Sequence, residues 1–343
     1  MRKALLVSIV VAGVAPLLAS CTSDAPTSTS RRAAGGSADV LPVASAGNAC
    51  VPSPGSHPAG NVVDSVGVPT PWGVAVRDDG LTYFTEPYNN GVGITSTQTR
   101  TVTGFVSTGS IPTGIAFSPD GATAYVANEY GDVSVLDVAT QTKVASIPIY
   151  NPLAVRVSPD GTELFVATGG TAVYIVDVAT RQITKTVQVG YAPNGFAVDP
   201  GGRILYVSSF LGGSVSEIDM FTGTTLRTFF VGGTPQEMAI NRRGTHLYVA
   251  NEQGYLNDID LTTGQLAQPI ALQGGGFGVG VTPDDSQAWV TIPGAGVVQV
   301  FSLATGQVTS TLTVGGNPRR VAFSQQGHIG AITNLNGYLT FVR

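Results

Sequence analysis

The segment Pro112-Thr113-Gly114-Ile115-Ala116-Phe117-Ser118-Pro119-Asp120-Gly121-Ala122-Thr123-Ala124-Tyr125-Val126-Ala127-Asn128 decides how this chain folds. A short apolar run halts at Ser-Pro-Asp-Gly. Pro presets one backbone angle, Asp bonds its own backbone and Gly accepts a left-handed conformation, so the four together signal a tight turn. A second apolar run follows and ends at Asn128. Val133–Val138 and Thr142–Ile149 continue the pattern of short apolar stretches between turn residues. Four strands joined by tight turns form one antiparallel sheet.

The phrase recurs along the chain. It begins at Pro71, Pro112, Pro152, Pro193, Pro235, Gly276 and Pro318, at intervals of 40 to 42 residues. Four-stranded sheets repeating at this period are the blades of a β-propeller. The expected fold is therefore all-β, a seven-bladed β-propeller of four-stranded antiparallel blades over residues 61–343. The last unit supplies only three strands, Val321–Ser324, His328–Thr333 and Tyr338–Val342. Val62–Val66, ahead of the first repeat, is the candidate for the fourth. Pairing head with tail would close the ring and remove an exposed sheet edge.

Composition narrows the function. The chain is 43% hydrophobic but only 11% charged, with 44 glycines and a formal charge of -5. Binding to a phosphate backbone needs clustered Lys and Arg. Here Arg31-Arg32, Arg242-Arg243 and Arg319-Arg320 are isolated pairs, so no nucleic-acid partner is expected.

The amino terminus reads as a leader. Met1-Arg2-Lys3 is basic, and Ala4 to Ser20 is apolar but short of the roughly 20 residues that span a bilayer. Leu18-Ala19-Ser20-Cys21 resembles the lipobox of bacterial lipoproteins, which implies a signal peptide over 1–20 and lipidation of Cys21. Residues 22–60 are mostly Ser, Thr, Ala, Gly and Pro and bury too little to order themselves. They read as a tether of roughly 35 Å r.m.s. span. Cys50 lies within it without an intrachain partner, so no structural disulfide is expected. The localisation that follows is extracytoplasmic, anchored by lipid to a bacterial membrane or cell envelope.

Tyr125-Val126-Ala127-Asn128 and Tyr248-Val249-Ala250-Asn251 resemble the YVTN family of propeller repeats. Phe165-Val166-Ala167-Thr168 and Tyr206-Val207-Ser208-Ser209 are weaker forms, and the Ser-Pro-Asp-Gly turns at Ser118 and Ser158 match too. The resemblance covers 61–343 and implies a seven-bladed extracytoplasmic propeller. The first blade, with Leu81-Thr82-Tyr83-Phe84-Thr85-Glu86, is similar to streptogramin lyases, and lactonases of the phosphogluconolactonase kind are propellers too. Fold does not fix activity.

The repeats themselves separate blade-making residues from others. Asp137, Asp177, Asp219 and Asp260 share one place and read as turn formers. Function should lie where blades differ. One face collects Trp72, Tyr150, Tyr191, Asn194, Gln236 and Phe277 from the turns between blades, and Glu86, Tyr88, Glu129, Tyr130, Phe210 and Glu252 from the turns between second and third strands. Aromatics mixed with carboxylates suit sugars, peptides or cationic groups, and the expected partner is a protein, peptide or glycan at this face.

On the innermost strand, one place reads Ala75, Ala116, Arg156, Ala197, Ala239, Gly280 and Ala322. The place two earlier reads Gly73, Gly114, Ala154, Gly195, Glu237, Gly278 and Arg320. Arg156, Glu237 and Arg320 therefore break a rule of small residues near the axis. They read either as an anion- or carboxylate-recognising throat or as a mutually paired set in a water-filled channel.

Catalytic signals are sparse. His57 falls in the tether, and His246 and His328 follow the first turns of their blades, away from the varied face. No Gly-x-Ser-x-Gly, phosphate-loop or metal-spaced His or Cys pattern occurs. No cofactor is expected. Glu86, Glu129 and Glu252 come from the first, second and fifth blades and are not expected to converge on a metal. The expected function is a binding or scaffold module, with a lyase or lactonase at the same funnel as the alternative. Replacing Cys21 with Ser is expected to abolish acylation and move the protein from the detergent to the aqueous phase on partitioning.

Overall fold

The computed structural model describes residues 62–324 and 329–343. The readings of the leader, Cys21, the tether, Cys50, His57 and His328 lie outside the described residues.

Blade 2 illustrates the turn chemistry. The Gly121 amide donates to the Ser118 carbonyl (2.8 Å), and the Asp120 carboxylate accepts from the Ala122 amide (3.0 Å). Gly121 sits at φ +68°, where a side chain would be strained. At the third turn, Asp137, Asp177, Asp219 and Asp260 accept the amides of Thr140, Thr180, Thr222 and Thr263 at 2.7, 2.7, 2.9 and 3.0 Å. The amide bonds hold Asp137, Asp177 and Asp219 below the usual carboxylate range. The Thr262 hydroxyl, followed by the Thr263 amide, holds Asp260 at about 2. These aspartates are turn formers, as their repetition implies.

Seven antiparallel sheets result. Blade 2 runs Pro112–Phe117, Thr123–Asn128, Val133–Asp137 and Thr142–Ile147. In blade 5 the outermost strand is broken into Gln265–Leu266 and Ile270–Ala271, with Pro269, which has no amide to donate, between them. The ring closes as the sequence implies. Val62–Gly67 pairs antiparallel with Tyr338–Val342, from Val62 opposite Val342 to Gly67 opposite Tyr338. The final sheet thus takes its outer strand from the head of the domain and its three inner strands from the tail.

The core is divided among the interfaces between blades. Tyr83, Val92 and Ile94 of blade 1 pack on Ala124, Val126 and Leu136 of blade 2. Trp289, Val298 and Val300 of blade 6 pack on Val321, Ile332 and Val342 of blade 7. Across the seam, Phe84 of blade 1 packs on Ala331, Leu339 and Phe341 of blade 7. Fully burying each such side chain contributes about 1.5–3 kcal/mol.

A further set of bonds joins the blades at the axis. The innermost strand slips register after its leading Pro, between Pro112 and Ile115, Pro193 and Phe196, Pro235 and Met238, and Pro318 and Val321. A bulge leaves backbone groups unpaired. The carbonyl after the Pro is taken by the neighbouring blade. Thr85 Oγ1 donates to Thr113 O (3.1 Å), Ser208 Oγ to Gln236 O (2.6 Å), Thr291 Oγ1 to Arg319 O (2.5 Å) and Thr333 Oγ1 to Trp72 O (2.8 Å).

Blades 2, 3 and 5 carry Ala127, Ala167 and Ala250 in place of that hydroxyl, and each finds a substitute. Thr113 Oγ1 donates to Leu153 O (2.7 Å), Arg156 Nη2 to Phe196 O (3.2 Å), and the Glu237 amide to Phe277 O (3.2 Å). Every blade is thereby bonded to the next. The approach is close enough that a Cβ on Gly73, Gly195 or Gly278 would stand 2.2, 2.4 or 2.3 Å from the neighbour's carbonyl oxygen.

Thr333→Val keeps the shape but orphans the Trp72 carbonyl and the Arg320 amide, which donates to Thr333 Oγ1 at 3.0 Å. The variant is expected to lose about 1–3 kcal/mol, read as a lower urea midpoint at unchanged slope. A wild-type midpoint would show that the axial bonds carry no stability.

Candidate functional site at the mouth of the axial channel

The bulges that free the axial carbonyls also aim one side chain per blade around the mouth of the channel. In blade order these are Trp72, Thr113, Leu153, Asn194, Gln236, Phe277 and Arg319. Two groups of them touch. Asn194 Nδ2 donates to Gln236 Oε1 (2.5 Å). The Arg319 guanidinium lies 4.5 Å from the Phe277 ring centroid and 5.2 Å from that of Trp72. The two rings meet edge to face at 5.8 Å.

Glu252 stands beside this group. Burial raises its pKa, against the pull of the Arg319 charge and a bond from Gln236. Burial lowers that of Arg319, against the Glu252 charge, and Arg319 Nε is enclosed without a partner. A cation held against two aromatic rings set at right angles can engage a ligand that offers an acceptor and a flat or apolar body.

The three axial charges lie just below. Arg320 Nη1 pairs with Glu237 Oε1, joining blade 7 to blade 5. Burial, then the like charge of Arg156, lowers the Arg320 pKa to about 10, so the group stays charged at neutral pH. The strand register confirms the alignment of the small-residue place. Ala116, Ala197, Ala239 and Gly280 face Tyr125, Tyr206, Tyr248 and Trp289, and Arg156 faces Phe165. Arg156 is surrounded by protein, which lowers its pKa, yet remains exposed to solvent. Its side chain is thus flanked by protein and open to water.

The other candidates disperse. Glu86 occupies the strand-end place held by Asn128, Asn251 and Asn334 in other blades. It is 4% exposed, and its Oε2 accepts from Asn89 Nδ2 (2.6 Å). Burial, only partly offset by that bond, raises its pKa. It therefore serves its own blade rather than the face. Glu129 is partly buried on blade 2, where burial alone raises its pKa. Phe210 is partly buried on blade 4.

Tyr88, Tyr130, Tyr150 and Tyr191 are 73%, 66%, 85% and 54% exposed, too open to be capping the cores between blades. They form an arc over blades 1 to 4. In blades 5 to 7 the place of Tyr130 holds Gln253, Gly294 and Asn336. The face is thus divided into an aromatic half and a half bearing the Arg319 cluster. Among the described residues, no three His, Cys, Asp or Glu side chains gather to hold a metal. His246 Nδ1 bonds Asp258 Oδ1 (2.8 Å), and its ring stacks near Tyr248 within blade 5, apart from the mouth.

Reading the sequence alone identified Trp72, Glu237, Glu252 and Arg320 but treated Arg319 only as half of a basic pair. Its signal was positional. It follows Pro318 as Trp72 follows Pro71, and so shares the place that aims a side chain at the mouth.

No protein-family model matches the chain, and no curated protein matches it. Among solved structures it is similar to hydrazine synthase of Kuenenia stuttgartiensis, with a TM-score of 0.75 at 18% identity, over 82% of this chain and 97% of that one. At this identity the likeness is one of fold, and it agrees with the seven sheets in identifying a β-propeller.

Glu129 yields a pH-dependent expectation. Its folded-state pKa is raised, so ionisation costs stability above that value and nothing below the unfolded-state value of 4.5. Glu129→Gln should therefore melt higher than the wild type near pH 7, with the difference vanishing near pH 4. Equal melting temperatures near neutrality would mean that Glu129 is hydrated at no cost.

Proposed function

We propose that this protein is an extracytoplasmic, lipid-anchored binding or scaffold module of the YVTN-repeat kind, whose ligand lies across the mouth of the axial channel. The observation that carries this reading is Arg319, its guanidinium held against Trp72 and Phe277 beside Glu252. Fixing a cation in this way restricts a flexible side chain, which is favourable where a ligand must be met by a preorganised donor. The tyrosine arc extends the contact surface toward blades 1 to 4, and exposed rings of this kind mark binding surfaces. The partner classes are a glycan, a peptide or an exposed protein segment. Membrane attachment comes through Cys21, and the reading requires no cofactor. Glu252, with its raised pKa, is the group on which a lyase or lactonase at the same mouth would rest.

The test is a thermal-shift screen of oligosaccharides and peptides, run beside turnover assays with lactones and cyclic esters. One class should stabilise the protein without turnover. Trp72→Ala and Arg319→Ala should each weaken that ligand about 30-fold, as removal of a central Trp or Arg contact does. Turnover that depends on Glu252 would replace the binding reading with the enzymatic one. Affinity unchanged in both variants would remove the mouth as the site.

A further inference from the structure

We propose that the axial channel holds a second, separate site, in which Arg156 binds a small monoanionic carboxylate beneath the Glu237–Arg320 pair. Space comes first. At the place of Arg156 the other six blades present five Ala and one Gly, so the equivalent side chains contribute nothing larger than a methyl group. Arg156 is enclosed by protein and still reached by solvent, which places its head in a wet cavity on the axis.

Charge comes second. Within the described residues Arg156 makes one hydrogen bond, from Nη2 to the Phe196 carbonyl (3.2 Å), and no ion pair. Nε and Nη1 therefore still have protons to donate. The Arg156 charge acts on Arg320, of the same sign. Glu237 is already paired with Arg320. A cation reached by solvent, with one hydrogen bond and no counter-ion among the described residues, is open to an anion. The three side chains sum to one positive charge, which one monoanion neutralises.

Geometry comes third. Arg156 stands two residues beyond the place of Glu237 and Arg320, or about 6.6 Å further along a strand. The ion pair therefore forms a bar above the Arg156 head, and an anion beneath it would meet a guanidinium fork whose two parallel donors match a carboxylate.

The experiment titrates the full-length protein with acetate against chloride at matched ionic strength, by calorimetry and thermal melting. Acetate should bind one to one and raise the melting temperature beyond chloride. Arg156→Ala should weaken acetate at least about tenfold, the loss expected of one charge-assisted pair. This variant should fold, because Ala is the usual residue at the place. Arg156→Lys keeps the charge but not the fork, and should recover only part of the affinity. Glu237→Gln raises the axial charge and should shift preference from acetate toward inorganic phosphate. Acetate acting no more strongly than chloride, or binding equally well to Arg156→Ala, would overturn the proposal. Trp72→Ala, which disturbs the mouth, should leave acetate binding unchanged, so this site and the face reading fail separately.

Discussion

A ring of sheets has no strong local unit, because each blade buries its apolar faces only against its two neighbours. The constraint on which the structure depends is therefore that every interface, including the one between head and tail, be made at once. Two devices satisfy it. At the periphery, Val62–Gly67 completes the last sheet by pairing with Tyr338–Val342. At the axis, hydrogen bonds run from blade to blade, with the Thr333 hydroxyl reaching the Trp72 carbonyl across the same seam. The outer device carries the area and the inner one fixes how close the strands may come, which is why Gly73, Gly195 and Gly278 can carry no Cβ.

The same bulge explains stability and site together. By slipping register after its leading Pro, the innermost strand frees one carbonyl for the neighbouring blade and turns one side chain to the mouth. Arg319 does both. Its carbonyl accepts the Thr291 hydroxyl, and its guanidinium lies between Trp72 and Phe277. The backbone that presents the site is thus among the most constrained in the molecule, which is what a precise binding surface needs. The axial charges extend this economy. Arg156 supplies the cross-blade bond that Ala167 cannot, and in doing so brings a cation into the channel.

The sequence alone determined the number of blades, their strand order, the strand that closes the ring and the face that varies. These are properties of period and pattern, and a side chain repeated at the same place in most units declares itself as architecture. Asp137 and its equivalents were legible as turn formers for that reason, and Arg156, Glu237 and Arg320 were legible as departures.

Only the tertiary structure decided which of the varied residues act together. Glu86 reads as a face carboxylate, yet it ends a strand one place earlier than Glu129 and Glu252 and turns into its own blade. Arg319 reads as half of a surface pair, yet the ring carries it between rings from the first and sixth blades. The axial bonds were invisible for a physical reason. They end on backbone carbonyls, which every residue possesses, so no pattern of side chains marks them. Their partners lie 28 or 40 residues apart or, across the seam, 261 apart, and only the closed circle brings them within reach.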